Sequence, residues 1–131
     1  MPHLLVAGKL HPSGLDLLRS SPVTFDYVEE ISEASYQAHL PKADALVIRT
    51  QPLTAASIAR APRLRIVSRH GVGYDAVDLP ALTARGIPLC ILGDVNSSGV
   101  AEHAMMLILA AFHRLIAADH AVRSGDWGWR G

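Results

Sequence analysis

Four short stretches of this protein, residues 4–8, 45–49, 64–69 and 88–92, read as apolar runs, the third of them interrupted by Arg65 and Ser68. A strand with one wet face alternates apolar and polar residues, whereas a strand covered on both faces does not. Each stretch is therefore expected to be a buried strand. A fifth strand is expected over residues 23–28, where Phe25 and Tyr27 alternate with Thr24 and Asp26. Helix signals stand between the strands at short intervals. Ser13, Ser32, Thr54 and Asp78 are of the types whose side-chain oxygen caps a helix N-terminus. Leu15, Leu17 and Leu18 supply an inner face for the first helix, while Pro41, Pro62 and Gly86 are expected to end the others. Strand and helix alternating through short connections build a parallel sheet flanked by helices. Right-handed crossovers and a count of five strands point to a flavodoxin-like α/β fold with strand order 2-1-3-4-5.

After the fifth strand the pattern changes. Residues 96–122 begin with small polar residues and continue as one helix of roughly 25 residues, about 35–40 Å long at ~1.5 Å per residue. Residues 104–112 are apolar on every face, which marks a buried helix, with His103 and His113 as polar contacts upon it. Such a helix is too long for one small lobe. It implies a boundary, with residues 1–93 as a substrate lobe and residues 94–131 as a crossing and dimerisation helix plus the start of an incomplete second domain. Trp127 and Trp129 would enlarge the apolar patch that this helix shows on a monomer. Glu102, His103, His113, Arg114, Asp119 and His120 break any clean span of ~20 apolar residues, so no membrane crossing is expected.

Lys+Arg and Asp+Glu balance at 12 each and aromatic residues make up 5% of the sequence, so neither a basic field nor a stacking surface for nucleic acid is present. The single cysteine, Cys90, lies in an apolar run and reads as an inert core thiol. That leaves no disulfide framework and fits a reducing cytoplasm.

Ligands of open parallel sheets bind beyond the C-terminal ends of the strands. Gly71-x-Gly73-x-x-Ala76 follows a strand there, with Asp94 about 20 residues on, and so meets the letter of a dinucleotide fingerprint. In that fingerprint the helix begins within the glycines, which would put Pro80 inside its second turn at a cost of ~3 kcal/mol. A helix starting at Asp78 tolerates Pro80 and leaves residues 71–77 as an open loop. Free amides in such a loop, with glycines permitting close approach, make an anion-binding concavity suited to a small carboxylate. Arg49, at the end of the neighbouring strand, faces the same crevice in this reading. A phospho-receiver would need acidic residues where Gly8-Lys9 and Arg49-Thr50 stand, and Lys9-Leu-His-Pro12 is not a flavin phosphate loop. His113 and His120 are two helical turns, ~10 Å, apart, too far to share a metal ion, and no metal site is expected. No proton-transfer residue stands out.

Arg49-Thr50, the glycine loop with the D-x-x-D of Asp75 and Asp78, Gly86-Ile-Pro-Leu, and the N-x-x-x-V-A-E-H of Asn96 to His103 resemble the NAD(P)-dependent D-isomer-specific 2-hydroxyacid dehydrogenases. That group includes D-3-phosphoglycerate, glycerate and formate dehydrogenases. The resemblance implies that the amides of Val72 and Gly73 hold the substrate carboxylate, that Arg49 contacts the distal group, and that Asn96 stands near the reacting carbon. It also implies a homodimer packed through the helix of residues 96–122. Gly99 departs from the family's Ser or Thr, so the helix cap is expected from Ser98 or Ser97. The family's coenzyme fingerprint, substrate arginine and Glu–His acid–base pair have no counterpart, which implies a truncated chain. NAD or NADP would then serve the intact enzyme, with none bound by this chain alone and no catalytic residue within it. The expected function is the N-terminal part of an oxidoreductase acting on the CH-OH group of a D-2-hydroxy acid. The alternative is a non-catalytic dimerising module that binds carboxylates.

Overall fold

A computed structural model describes residues 1–129, the last two residues lying outside the described part. Two compact units make up the protein, Met1–Gly93 and a second that begins at Asp94.

The first unit is a five-stranded, all-parallel sheet in the order β2-β1-β3-β4-β5. Its strands are β1 (His3–Ala7), β2 (Thr24–Val28), β3 (Ala45–Ile48), β4 (Ile66–Arg69) and β5 (Leu89–Cys90), with helices α1 (Pro12–Ser20), α2 (Glu33–Tyr36), α3 (Ala55–Ala59) and α4 (Leu79–Ala84) between them. The order is the one expected from right-handed crossovers between apolar strands. Leu5, Leu46, Ile48 and Val67 from the strands meet Tyr36, Leu40, Ile58 and Leu82 from the helical layers in one buried cluster.

Local chemistry explains most helix boundaries. Ser32, Thr54 and Asp78 each cap a helix, accepting from the amides of Ser35, Ser57 and Ala81. Gly86 follows α4 at φ +64, the left-handed geometry that ends a helix without cost at glycine. Other boundaries differ from expectation. Ser13 lies inside α1; its cap is His11, whose Nδ1 accepts from the Ser13 amide at 3.3 Å, and Pro12 occupies the first turn. Leu15 and Leu18 turn inward, but Leu17 is exposed. Pro41 does not stop the second helix, because the backbone tightens after Tyr36 into a 3-10 segment, Gln37–Lys42, that contains it.

Two polar clusters tie the layers together. Asp26 Oδ2, on edge strand β2, lies 2.8 Å from Lys42 Nζ, 2.5 Å from His39 Nδ1 and 3.3 Å from His3 Nε2. The last contact is an ion-pair distance without hydrogen-bond alignment, so His3 Nε2 has no hydrogen-bond partner. Burial pushes the Asp26 carboxyl up, but contacts from Lys42, His39 and His3 outweigh it and hold it at about 2. Glu33 Oε1 accepts from the Thr54 amide and from the hydroxyls of Thr54 and Ser57 at 3.1, 2.6 and 2.6 Å, joining α2 to α3. Burial opposes those bonds, yet they hold Glu33 below its usual range.

β5 is shorter than expected and lies at the sheet edge, so Cys90 is exposed and is not a core thiol. An apolar run marks a strand, but only the strand order decides whether it is covered.

The second unit holds α5 (Ser97–Phe112) and α6 (Leu115–Ser124), bent by 59°. The helix expected over residues 96–122 is thus in two pieces. Arg114 sits at φ 48, ψ 42, a left-handed conformation that stops one helix before the next begins. Its guanidinium lies 5.3 Å from the centroid of the Trp129 ring, a cation–π contact beyond the reach of local sequence rules. Neither Ser97 nor Ser98 caps α5. The cap position is Asn96, whose side chain makes no capping bond, while the Ser97 hydroxyl donates to Asp94. Nor is α5 buried: Met105, Met106, Leu107, Ile108, Leu109 and Phe112 are each at least half open or close to it, and His103 and His113 are exposed too. Among the described residues no single helix is long and apolar enough to cross a membrane; α5 and α6 meet that measure only as a bent pair, by length and composition.

Candidate functional site

The C-terminal edge of the first unit's sheet gathers the ends of β1, β3 and β4. Arg49 follows β3, and its amide donates to the Ala7 carbonyl at 3.0 Å, which sets it against Gly8. Gly8 takes φ +112, and a Cβ there would lie 2.6 Å from Arg49 Cβ, so glycine is required both by backbone geometry and by this approach. The Arg49 side chain is exposed. Its Nη1 donates to the Lys9 carbonyl at 3.2 Å, which turns the guanidinium toward the β1 side of the edge.

β4 ends at Arg69, in register with Ile48, and the next amide, His70, donates to the Ile48 carbonyl at 2.8 Å. There the backbone leaves the sheet. It returns at Val77, which bridges Leu53, with Leu53 N–H donating to Ala76 and Asp78 N–H donating to Leu53. Between these anchors the amides of residues 72–76 donate to no acceptor among the described residues. The loop therefore offers the unpaired backbone donors that its sequence suggests, with Val72 half-buried and Gly73 exposed.

The glycines act differently from expectation. Neither Gly71 nor Gly73 uses a positive φ. A Cβ on Gly71 would meet Arg69 Nη1 at 2.7 Å, the far end of a flexible side chain that can move aside; that guanidinium donates to the His70 carbonyl at 2.9 Å. Nothing in the local sequence pattern singles out Arg69. Its place as the last residue of the strand before the loop is the available signal. On the other side, Asp75 Oδ2 would be 3.4 Å from a Cβ on Gly73, so the loop has a cation at its start and a carboxylate at its middle.

α4 begins only at Leu79, with Asp78 as cap and Pro80 in its first turn. The helix that follows the loop does not start at the glycines, so these residues do not fit the pyrophosphate of a dinucleotide. Among the described residues no group of three His, Cys, Asp or Glu side chains is placed to hold a metal ion. A cleft of about 700 Å³ lies elsewhere: it is within the second unit, lined by Ala110, Arg114, Ile116, His120 and Trp129 among others, and is mostly apolar. Its chemistry suits packing rather than carboxylate recognition. Asn96 belongs to that second unit.

Arg49, Val72 and Gly73 thus share one sheet edge, and residues 4–124 match the profile described as "D-isomer specific 2-hydroxyacid dehydrogenase, catalytic domain". The chain belongs to the D-isomer-specific 2-hydroxyacid dehydrogenase family. It is 39% identical over 128 residues to a D-3-phosphoglycerate dehydrogenase of Mycobacterium tuberculosis, covering 97% of this chain and 24% of that protein. It is 36% identical over 134 residues to a glyoxylate reductase of Thermococcus onnurineus, covering 99% and 40%. Among solved structures, an NADPH-dependent glyoxylate/hydroxypyruvate reductase of Sinorhizobium meliloti, in complex with NADP and malonate, superposes with a TM-score of 0.76 at 31% identity, covering 96% of this chain and 39% of that one. The chain therefore spans between about a quarter and two fifths of these family members.

Proposed function

We propose that this member of the dehydrogenase family holds the carboxylate of a D-2-hydroxy or 2-oxo acid for hydride exchange with NAD or NADP in the whole protein. The observation that carries the reading is the row of unpaired amides at residues 72–76, on the sheet edge where Arg49 follows β3 and β4 ends in Arg69. The amides of Val72 and Gly73 bind the carboxylate, Arg49 serves the distal group, and Asn96 stands near the reacting carbon. Residues 1–93 are the substrate lobe. Residues 94–131 are the crossing and dimerisation segment leading toward a coenzyme domain. The chain by itself binds no coenzyme and performs no turnover, because hydride transfer needs an oriented nicotinamide and a proton carrier. Its place is the cytoplasm.

The test is a titration of the ¹⁵N-labelled protein with D-lactate. Saturable shifts centred on Val72 and Gly73 are expected, and NAD(P)H should not be consumed when glyoxylate is added. Shifts spread evenly over the surface, or measurable turnover by the purified protein, would sink this reading.

A second reading, a non-catalytic module that dimerises and binds carboxylates, draws on the exposed apolar surface of α5. Unpartnered surface of this kind marks an interaction site. In both readings the partner is a second copy, packed through residues 96–122.

A further inference from the structure

Besides the hydroxyl of Tyr36, two polar side chains are fully buried among the described residues, Gln51 and Ser57. Ser57 has its role in the Glu33 cluster. Gln51 lies two residues beyond Arg49, at the crowded strand ends, and both ends of its amide are used. Its Oε1 accepts from the Thr50 amide at 3.1 Å, and its Nε2 donates to the Glu30 carbonyl at 2.9 Å. The two partners fix which end is oxygen and which nitrogen, since an N–H must meet oxygen and a carbonyl must meet N–H. The same amide rests on Gly8, whose absent Cβ would be 3.0 Å from Oε1 and 3.3 Å from Nε2. One side chain thereby joins the end of β1, the segment after β2 and the turn after β3. A buried amide with both groups satisfied holds its partners more firmly than an exposed one, because losing either bond leaves a group unpaired away from water.

We infer that Gln51 is a positioning residue for Arg49: it fixes the Arg49-Thr50 turn against Gly8, so that the guanidinium is presented at the sheet edge. The inference rests on the proposed role of Arg49 at the distal group of the substrate. It explains why so exposed a side chain stands on so rigid a base, and why Gly8, which takes no part in binding, must be glycine.

The experiment compares D-lactate with D-malate, which share the 2-hydroxy carboxylate but differ in a distal carboxylate. Affinity is read from the shifts of Val72 and Gly73 in the 131-residue chain. In the unaltered protein the malate should bind more tightly than the lactate by about two- to fivefold, the range of one solvent-exposed charge contact. Gln51→Met keeps the volume and removes both hydrogen bonds; it should abolish that preference and leave D-lactate affinity unchanged. Gln51→Glu adds a readout that simple loss of packing would not move. A protonated carboxyl restores one acceptor and one donor, and burial raises its pKa. The malate preference, measured against the unaltered protein at each pH, should therefore be absent near neutrality and return on mild acidification. Slow hydrogen exchange of the Thr50 amide in the unaltered protein is also expected. A malate preference that survives in Gln51→Met, no recovery in acid, or a fast-exchanging Thr50 amide each overturns the role of Gln51. Lactate binding without any malate preference in the unaltered protein overturns the role of Arg49 first. The absence of any shift at Val72 and Gly73 overturns the carboxylate site itself.

Discussion

Replacing Asp26 with asparagine removes the charge at the centre of the cluster that pins edge strand β2. β2 has only β1 as a neighbour in the sheet, so its outer side depends on side-chain contacts to the 3-10 segment. Asp26 Oδ2 receives Lys42, His39 and His3, and despite the opposing effect of burial its carboxyl is lowered from 3.8 to about 2. At 1.36 kcal/mol per unit, this would contribute about 2 kcal/mol to folding if nothing screened it. The Lys42 side chain is 54% exposed and that of His39 is 35% exposed. Solvent therefore screens part of the attraction, and about 1 kcal/mol is the expected loss for Asp26→Asn near neutrality. The sign follows from a folded pKa below the unfolded one. The contribution is full above about pH 5, shrinks as pH falls through 4 and 2, and is gone only near about pH 1, where both states are protonated. Urea unfolding followed through the amide signals of Leu5 and Leu46 measures the first unit without the tryptophans, both of which lie in the second. The gap between the two proteins should close steadily as pH is lowered. A gap that stays constant with pH, or an asparagine variant that is the more stable at neutrality, would refute the electrostatic account.

Tyr36 is fully buried, and its hydroxyl donates to the Pro52 carbonyl; burial, aided by the Glu33 charge, pushes its pKa up. Tyr36→Phe leaves that carbonyl without its partner, and a loss of about 1–3 kcal/mol is expected by the same unfolding measurement. Leu109, on the exposed face of α5, should be central to pairing between copies. Leu109→Glu puts a charge into an apolar contact and should shift the protein from dimer to monomer in size-exclusion with light scattering, with about tenfold or greater weakening of association. An unaltered protein that runs as a monodisperse monomer at high concentration would remove the basis for the dimer.

The reach of sequence into structure varied with how local each cause was. Ser32, Thr54 and Asp78 cap their helices through bonds to amides three residues on, so their role is visible in a short window. Apolar runs with short capped helices between them admit few topologies, and the parallel order β2-β1-β3-β4-β5 followed from pattern and handedness. The free amides at residues 72–76 were legible as well, because Pro80 forbids an early helix start. What local pattern could not supply was the destination of long or flexible side chains. Arg69 lies beside Gly71, and Arg114 leaves the helical conformation beside Trp129; neither arginine carries a mark of its role in the sequence.

Residue order alone was enough for the family, the sheet and the open loop of amides, since each rests on residues that act within a few positions of one another or on a repeated apolar pattern. Three-dimensional packing was needed to learn that Cys90 is exposed, that the C-terminal helix is broken, and that Gln51 is buried among three strand ends. Burial is a property of where separate segments meet, and a glutamine on the surface is spelled the same way as one that holds a turn in place.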